Sequence, residues 1–347
     1  WETLKVDGTP YKVFTPFYRR GCLNASPPRS PEPPTSIKFV KNNSKGETHI
    51  DDLNLLTNKY WEKSIINDWR VGEMGAKERL TEFIKNEIAD YKEGRNFPVK
   101  ANVSRLSPYL HWGEISPNTV WYAAKQKIEF NPHLEKDIGH FLSELGWREF
   151  SNSLLYHFPE IPKTNLQSKF DSFPWTTDES LLRAWQTGQT GYPIVDAGMR
   201  QLWQTGYMHN RLRMIVGSFL VKNLLLHWHH GESWFWDCLF DADLANNSAG
   251  WQWIAGCGAD AAPYFRIFNP ITQGKKFDPE GVFVRRFIPE LENLPDSVLF
   301  SPWEASTELL DKCKVKLGET YPKPIVDLKV SRERALEAFS SLKTPIT

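Results

Sequence analysis

The stretch IGHFLSELGWREFSNSLL, Ile138 to Leu155, sets apolar side chains at three- and four-residue steps, with Ile138, Phe141, Leu142, Leu145, Phe150 and Leu154 on one side. That spacing lines one face of an amphipathic helix. Outward from it the same pattern recurs. On the N-terminal side it runs through Leu55, Leu56, Trp61, Ile65, Ile66 and Trp69 from about Asn54 onward, then through Leu80, Phe83, Ile84, Ile88 and Tyr91. On the C-terminal side it predicts helices over Ile194 to Trp203, Leu212 to Leu226, Trp234 to Leu239 and Ala335 to Leu342, each bounded by Gly, Pro, Ser or Asn. Clean period-two strands are nearly absent and no repeat of fixed period stands out. The fold class read from the pattern is all-α, one large helical domain from about residue 50 to 340.

Ahead of that domain, TPYKVFTPFYRR (Thr9 to Arg20) alternates aromatic, Pro and basic residues without helical period and runs into SPPRSPEPPT (Ser26 to Thr35). Five prolines in the latter predict a stiff, extended, irregular linker. The 347 residues suffice for a sizeable core, and 42 Lys and Arg balance 42 Asp and Glu. A neutral chain is not a bulk electrostatic binder of nucleic acid or membrane, so any charged partner is met by a local patch. No apolar run is long enough to suggest a membrane span. Cys22, Cys238, Cys257 and Cys313 are far apart with no CxxC pair, so neither a disulfide framework nor a zinc knuckle is indicated and a reducing compartment is expected. The chain opens at Trp1 without Met or a signal-peptide pattern, which is expected of a sequence that begins in mid-protein. Fifteen Trp against eleven Tyr and four Met is an excess that points beyond core filling.

Three segments carry candidate chemistry. In SRLSPYLHWGEISP (Ser104 to Pro117), Ser107 before Pro108 and Ser116 before Pro117 read as helix N-caps with Pro at the first helical position. A helix N-terminus beside Ser104, Arg105 and Ser107 suits a phosphate or pyrophosphate, and an ordinary capped helix is the alternative. Between Asp196 and Glu232 there is no carboxylate, yet Arg200, Arg211, Arg213, Lys222, His209, His227, His229 and His230 all fall there. His209, Asn210, Arg211 and Arg213 open an apolar run, which suits phosphate and base-edge contacts or, equally, a solvated helix end. DADLANNSAGWQW (Asp241 to Trp253) fails as a calcium loop, because Asn246 stands where Gly and Gln252 where Glu is required. Its carboxylates and amides beside Trp251 and Trp253, which cannot share one helix face, fit a polar pocket with aromatic walls for a heterocyclic ligand. The run His227, His229, His230 lacks metal-site spacing, so no metal is predicted. No GxSxG elbow, phosphate-binding P-loop or GxGxxG fingerprint occurs.

Taken together, ELGWREF (Glu144 to Phe150), TGYPIVDAGMRQL (Thr190 to Leu202), GYMHNRLRM (Gly206 to Met214), DADLANNSAGWQW and DAAPYFRIFNPITQGKKFDPEG (Asp260 to Gly281) resemble the photolyase and cryptochrome family, in the family's order from about Trp61 to Pro324. Within it the chain looks most like the cyclobutane pyrimidine dimer DNA photolyases. The resemblance implies a multi-helix domain of photolyase type, residues 51–347, that binds FAD in a folded conformation beneath a cavity for a flipped-out dimer. Residues 1–50 would then be the end of an antenna domain and an interdomain linker. It implies FAD contacts at Tyr91, Ser104, Arg105, Leu106, Ser107, Arg213, Asp241, Asp243 and Asn247. Glu144, Trp147, Asn210, Met214 and Trp253 would contact the dimer, with Arg95, Arg148, Arg211 and Gln273 on the DNA strand or cavity rim. Trp251, Trp228 and Trp175 match a chain of indoles that passes electrons from the surface to photoexcited oxidised flavin.

The activity implied is light-driven. Excited reduced FAD gives an electron to the dimer, the ring splits, the electron returns, and Glu144 stabilises the radical anion. The partner is DNA containing a pyrimidine dimer, with no membrane, and the expected state is a monomer, cytoplasmic and nucleoid-associated if bacterial, nuclear if eukaryotic. Val103 stands where the family more often has Thr and Phe141 where some members have Trp, each bearing on one flavin contact. An antenna chromophore of folate or deazaflavin type is unassigned, because most of the antenna domain is absent from the sequence. Alternatives are a cryptochrome-like blue-light receptor with the same FAD and Trp chain, a photolyase for the (6-4) photoproduct, which would place paired His where His209 and Asn210 stand, and a light-independent DNA-binding module.

Overall fold

The computed structural model describes residues 2–32, 35–39, 49–53, 55, 65–66, 69–264 and 266–342. Asn54, Leu56 and Trp61 of the first predicted helix, Pro33 and Pro34 of the linker, and Phe265 lie outside the described residues.

Helices build the rest. α1 (Glu73–Glu82) widens into a π turn, Phe83–Glu87, and is followed by the short α2 (Tyr91–Gly94) and α3 (Ser107–His111). α4 (Pro117–Phe130) starts where the Ser116 hydroxyl accepts the Asn118 N–H and Pro117 fills the first position, as its sequence predicts. α5 (Glu135–His157) contains the Ile138 to Leu155 stretch and buries its apolar side, including Ile138, Phe141, Leu142, Phe150 and Leu154. After α6 (Glu179–Gln186), capped by Asp178, α7 (Pro193–Thr205) ends at Gly206, whose φ of 63° lets the chain turn in the left-handed region. α8 (Asn210–Ser218) widens into a second π turn, Phe219–Asn223. α9 (Trp228–Cys238), α10 (Leu244–Ala255), α11 (Pro270–Phe277), α12 (Val282–Phe287) and α13 (Leu328–Ser341) follow, with short helical pieces such as Thr307–Lys312 between. Among the described residues there is no strand, only isolated bridges such as Thr176 with Leu226. The fold is all-α.

Three boundaries differ from the periodicity, each for a local reason. The helix predicted to Leu226 stops at Asn223, because Leu225 takes a φ of 55° and its carbonyl accepts the Thr176 N–H instead. The helices predicted from Trp234 and Ala335 begin earlier, at Trp228 and Leu328, where His227 and Asp327 accept hydrogen bonds as N-caps. The N-terminal stretch is also less irregular than expected. Phe14–Pro16, Phe17–Gly21 and Cys22–Asn24 form consecutive helical turns, since Phe14 and Phe17 gain burial against Phe150, Leu154 and Ile161. The described part of the proline stretch beyond Ala25 has no regular structure.

The core has three parts. The largest gathers α7, α8, α9 and α10 with α12 and α13, around Trp185, Trp228 and Trp251. A second joins α1 through α5 around Phe83, Tyr91 and Phe141. The third seats the N-terminal turns on α5. Helix α5 belongs to the second and third and packs on α10, so the cleft beside it is walled by all three.

Candidate functional site

Two cavity lobes, of about 310 Å³ and about 410 Å³, lie beside α5, and both are lined by Arg95, Glu144, Trp147, Asn210, Arg213, Asp241 and Asn246. They are parts of one cleft, of a size that holds a cofactor and a small substrate group. The first lobe is also lined by Tyr91, Val103, Ser104, Arg105, Leu106, Ser107, Phe141, Arg148 and Asp243, the second by Met214, Asn247, Trp251 and Trp253. Predicted residues from five separate segments are thus brought together. Arg211, Gln273, Trp228 and Trp175 are not in the lining.

In the first lobe the expected Ser107 cap is not made. Leu106 occupies the N-cap position of α3 without a side-chain bond, and it is Ser104 Oγ that accepts the Leu106 N–H at 3.4 Å. The reason is Arg105, whose φ of 50° turns the chain one residue before the N-cap. Its guanidinium lies over the rings of Trp69 at 4.5 Å and Tyr207 at 5.1 Å. Arg105 Nε is buried without a hydrogen-bond partner among the described residues. A buried donor left open in a cavity wall is the feature an anionic ligand would satisfy.

Arg213 and Asp241 link the lobes. The Arg213 guanidinium donates to both Asp241 oxygens, at 3.0 Å and 2.8 Å, and through Nε to the Met208 carbonyl at 2.9 Å. The Asp241 side chain is only 6% exposed. Asp243 caps α10 by accepting the Asn246 N–H at 2.8 Å, and its other oxygen lies 3.5 Å from His111 Nδ1. Asn247 Nδ2 donates to the Glu232 carbonyl at 2.9 Å, so Oδ1 is the polar atom it has left for a ligand N–H. The Glu232 carboxyl, raised by burial, accepts from Ser248 Oγ and steadies the same turn.

Trp251 and Trp253 divide their work as their spacing predicts: Trp251 is 2% exposed within the core and Trp253 half-buried, although both reach the second lobe. Trp251 sits on Gly231 of α9, where a Cβ would come within 2.0 Å of the indole, so no larger residue fits there without moving the ring. In the same core Trp228 is fully buried and donates from Nε1 to Asn165 Oδ1 at 3.0 Å.

Trp147 is held from the N-terminal side. Phe14 stacks on it with centroids 3.8 Å apart and planes within 8°, and Tyr18 stacks on Phe14 in turn. Phe14→Leu keeps most of the apolar volume but loses the stack, and is expected to lower stability by about 1 kcal/mol, read as the thermal midpoint, and to loosen Trp147, read as a red shift of indole emission. Glu144 forms an ion pair with Arg95, whose guanidinium lies 5.4 Å from the Tyr91 ring centroid and bonds His140 Nε2 at 3.2 Å. Arg211 folds back on Asn96 and over the Phe277 ring at 4.4 Å, on the flank of α11 that also carries Gln273.

His209, 2% exposed, caps α8 through Nδ1. Burial first, then the charges of Arg95, Arg211 and Arg213, pushes its pKa down to about 3. An unfolded histidine near 6.5 takes up its proton first as pH falls, so the folded state is fully favoured above that value and loses ground between it and about 3. The expected loss is about 1 kcal/mol by about pH 5.5. Thermal midpoints measured between these pH values check it, and His209→Asn, which keeps a capping group, is expected to flatten the profile.

Tyr207, Met208, His111 and Phe14 were not singled out by their sequence. Tyr207 and Met208 lie inside the quoted GYMHNRLRM segment and His111 inside SPYLHW, which is the signal available for them; Phe14 lies inside TPYKVFTPFYRR, read there as part of an irregular stretch and not as a site. Among the described residues no group of three or more His, Cys, Asp or Glu is placed to hold a metal, and no helix is long and apolar enough to cross a membrane.

The donor set fits FAD: an open arginine donor and backbone turn for phosphate, a paired carboxylate and an amide oxygen for ring N–H groups, and apolar walls for the rings. Comparison with known proteins agrees. Residues 141–341 match the family described as the FAD binding domain of DNA photolyase. The chain is 50% identical over 337 residues to a deoxyribodipyrimidine photo-lyase of Agrobacterium fabrum, covering 97% of this chain and 70% of that protein. It is 38% identical over 351 residues to cryptochrome-2 of Arabidopsis thaliana, covering 98% of this chain and 57% of that one. The crystal structure of a bacterial class III photolyase from Agrobacterium tumefaciens superposes with a TM-score of 0.92 at 50% identity, over 99% of this chain and 70% of that chain. With the helical cleft, its open arginine donor and these relatives in agreement, the chain belongs to the FAD-binding photolyase and cryptochrome family.

Proposed function

We propose that this protein repairs cyclobutane pyrimidine dimers in DNA when illuminated. The observation that carries the reading is the second lobe, where two indoles, Trp147 and Trp253, line one cavity with Glu144, Asn210 and Met214, next to Asn247 and Trp251. Two aromatic walls with polar edges between them suit a pair of bases turned out of the duplex. The relatives named deoxyribodipyrimidine photo-lyase support it.

In this reading residues 51–347 are the FAD-binding and repair unit, with residues 1–50 the end of an antenna domain and the linker from it. Tyr91, Ser104, Arg105, Leu106 and Ser107 hold the phosphate side of FAD, and Arg213, Asp241, Asp243 and Asn247 the ring side. The chemistry FAD would supply when bound there in its reduced form is light-driven one-electron donation, which would open the cyclobutane ring of a dimer held in the second lobe. Trp147 and Trp253 stack on the dimer and exclude water. Asn210 and Glu144 bond the pyrimidine edges. Because Glu144 is paired with Arg95, the positive charge that favours a developing anion is the Arg95 guanidinium, and Glu144 supplies the hydrogen-bond acceptor and holds that guanidinium in place. Arg148, Arg211 and Gln273 contact the strand at the rim. Trp251, Trp228 and Trp175 would form a path of oxidisable indoles from the surface toward the flavin site.

A second reading, a blue-light receptor without repair, is favoured by the likeness to cryptochrome-2. Dark titration separates the two. A duplex carrying one thymine dimer is expected to bind at least tenfold more tightly than its undamaged twin, about 1.4 kcal/mol or more. Equal affinities would favour the receptor.

A further inference from the structure

His227 packs against two of the indoles assigned above to electron passage. Its ring centroid is 5.5 Å from that of Trp228, with planes 27° apart, and 5.2 Å from that of Trp175, edge to face. His229 closes the cluster at 4.5 Å from His227 and 3.9 Å from Trp228. We propose that His227 bridges the outer step of the indole chain, its uncharged imidazole packing against both Trp228 and Trp175 so that a positive hole can pass from the first to the second.

Three features support this. First, Trp228 is fully buried whereas Trp175 is half-buried, so a hole that reaches Trp175 is closer to solvent. Second, the groups facing His227 are indoles and imidazoles: Trp175 from the extended segment before α6, and Trp228, His229 and His230 from α9. Burial, then His229 and His230, holds its pKa down to about 4, which keeps the bridge neutral. Third, His227 Nδ1 accepts the His229 N–H at 3.2 Å as the cap of α9, so the neutral ring carries its proton on Nε2 and its position is fixed by the backbone. The bridging step balances simply. One electron leaves Trp175 for the oxidised Trp228, which returns to its resting form, and Trp175 is then reduced by an external thiol that becomes a thiyl radical and releases its proton.

The inference rests on the indole chain of the proposed function, and the test separates the two. Holoprotein with oxidised FAD is flashed with blue light in the presence of a small thiol, and the indole radical is followed by transient absorption. Trp251→Phe is expected to abolish that signal; if it does not, the chain itself is wrong. With that control in place, His227→Phe is expected to keep the yield of long-lived indole radical within about twofold of the parent. His227→Arg, which sets a permanent cation about 5 Å from both indoles, is expected to cut it about tenfold or more. A folded His227→Arg protein with the parent yield would overturn the proposal. A second readout needs no illumination: in the parent protein the His227 side-chain NMR signals should show a neutral ring protonated on Nε2 at neutral pH, and an imidazolium there would equally overturn it.

Discussion

Replacing Arg213 by Ala is expected to cost about 3–5 kcal/mol of stability and to release FAD. The residue removed is half of an ion pair whose other half, Asp241, stays behind with its side chain 6% exposed. A buried carboxylate without its partner is far more costly than the pair was worth. The Met208 carbonyl loses the Arg213 Nε–H in the same change, and Asp241 lines both lobes of the cleft, so the damage falls on the cleft proposed to hold FAD. Thermal unfolding and flavin absorbance of the purified variant measure both effects. Removing both charges, with Arg213→Met and Asp241→Asn together, is expected to regain most of the stability while leaving flavin binding weak. Recovery of flavin in the double variant would show that the pair does not meet FAD.

The second large effect falls on the substrate. Trp253→Ala is expected to weaken binding of dimer-containing DNA by ten- to a hundredfold, because stacking a base on an aromatic side chain is worth about 1–3 kcal/mol. Trp253 is half-buried and sits on the cavity side of α10, whereas Trp251, two residues away, is packed into the core. The variant should therefore keep its fold and its flavin, seen in an unchanged absorption spectrum, and lose affinity for the lesion without a matching loss for undamaged DNA. An equal loss for both duplexes would place Trp253 on the strand instead of the dimer.

Legibility in the sequence follows the range of the interactions. Helix α5 could be read because its determinant is local: apolar residues three and four apart on one face, as borne out by burial of Ile138, Phe141, Leu142, Phe150 and Leu154. The α8 boundary could not, since it depends on Leu225 giving its carbonyl to Thr176, 49 residues earlier. The N-terminal turns look irregular alone because their order comes from contacts with α5, such as Phe14 on Trp147. In the site, the quoted motifs located most of the cleft lining by resemblance, and the two carboxylates were readable as pocket groups. The pairing of Glu144 with Arg95, 49 residues apart, was not, and it moves the proposed electrostatic role from one residue to the other. Ser107 shows the reverse error. Ser before Pro is a good local cap signal, yet the left-handed turn at Arg105 shifts the start of α3 by one residue.

Light-driven repair is tested by anaerobically photoreducing the purified protein and adding an oligonucleotide with one thymine dimer. Illumination with blue or near-ultraviolet light is predicted to restore the thymine absorbance in the far ultraviolet over successive turnovers, with no change in the dark. Bound flavin that photoreduces normally while the dimer survives illumination would contradict the account.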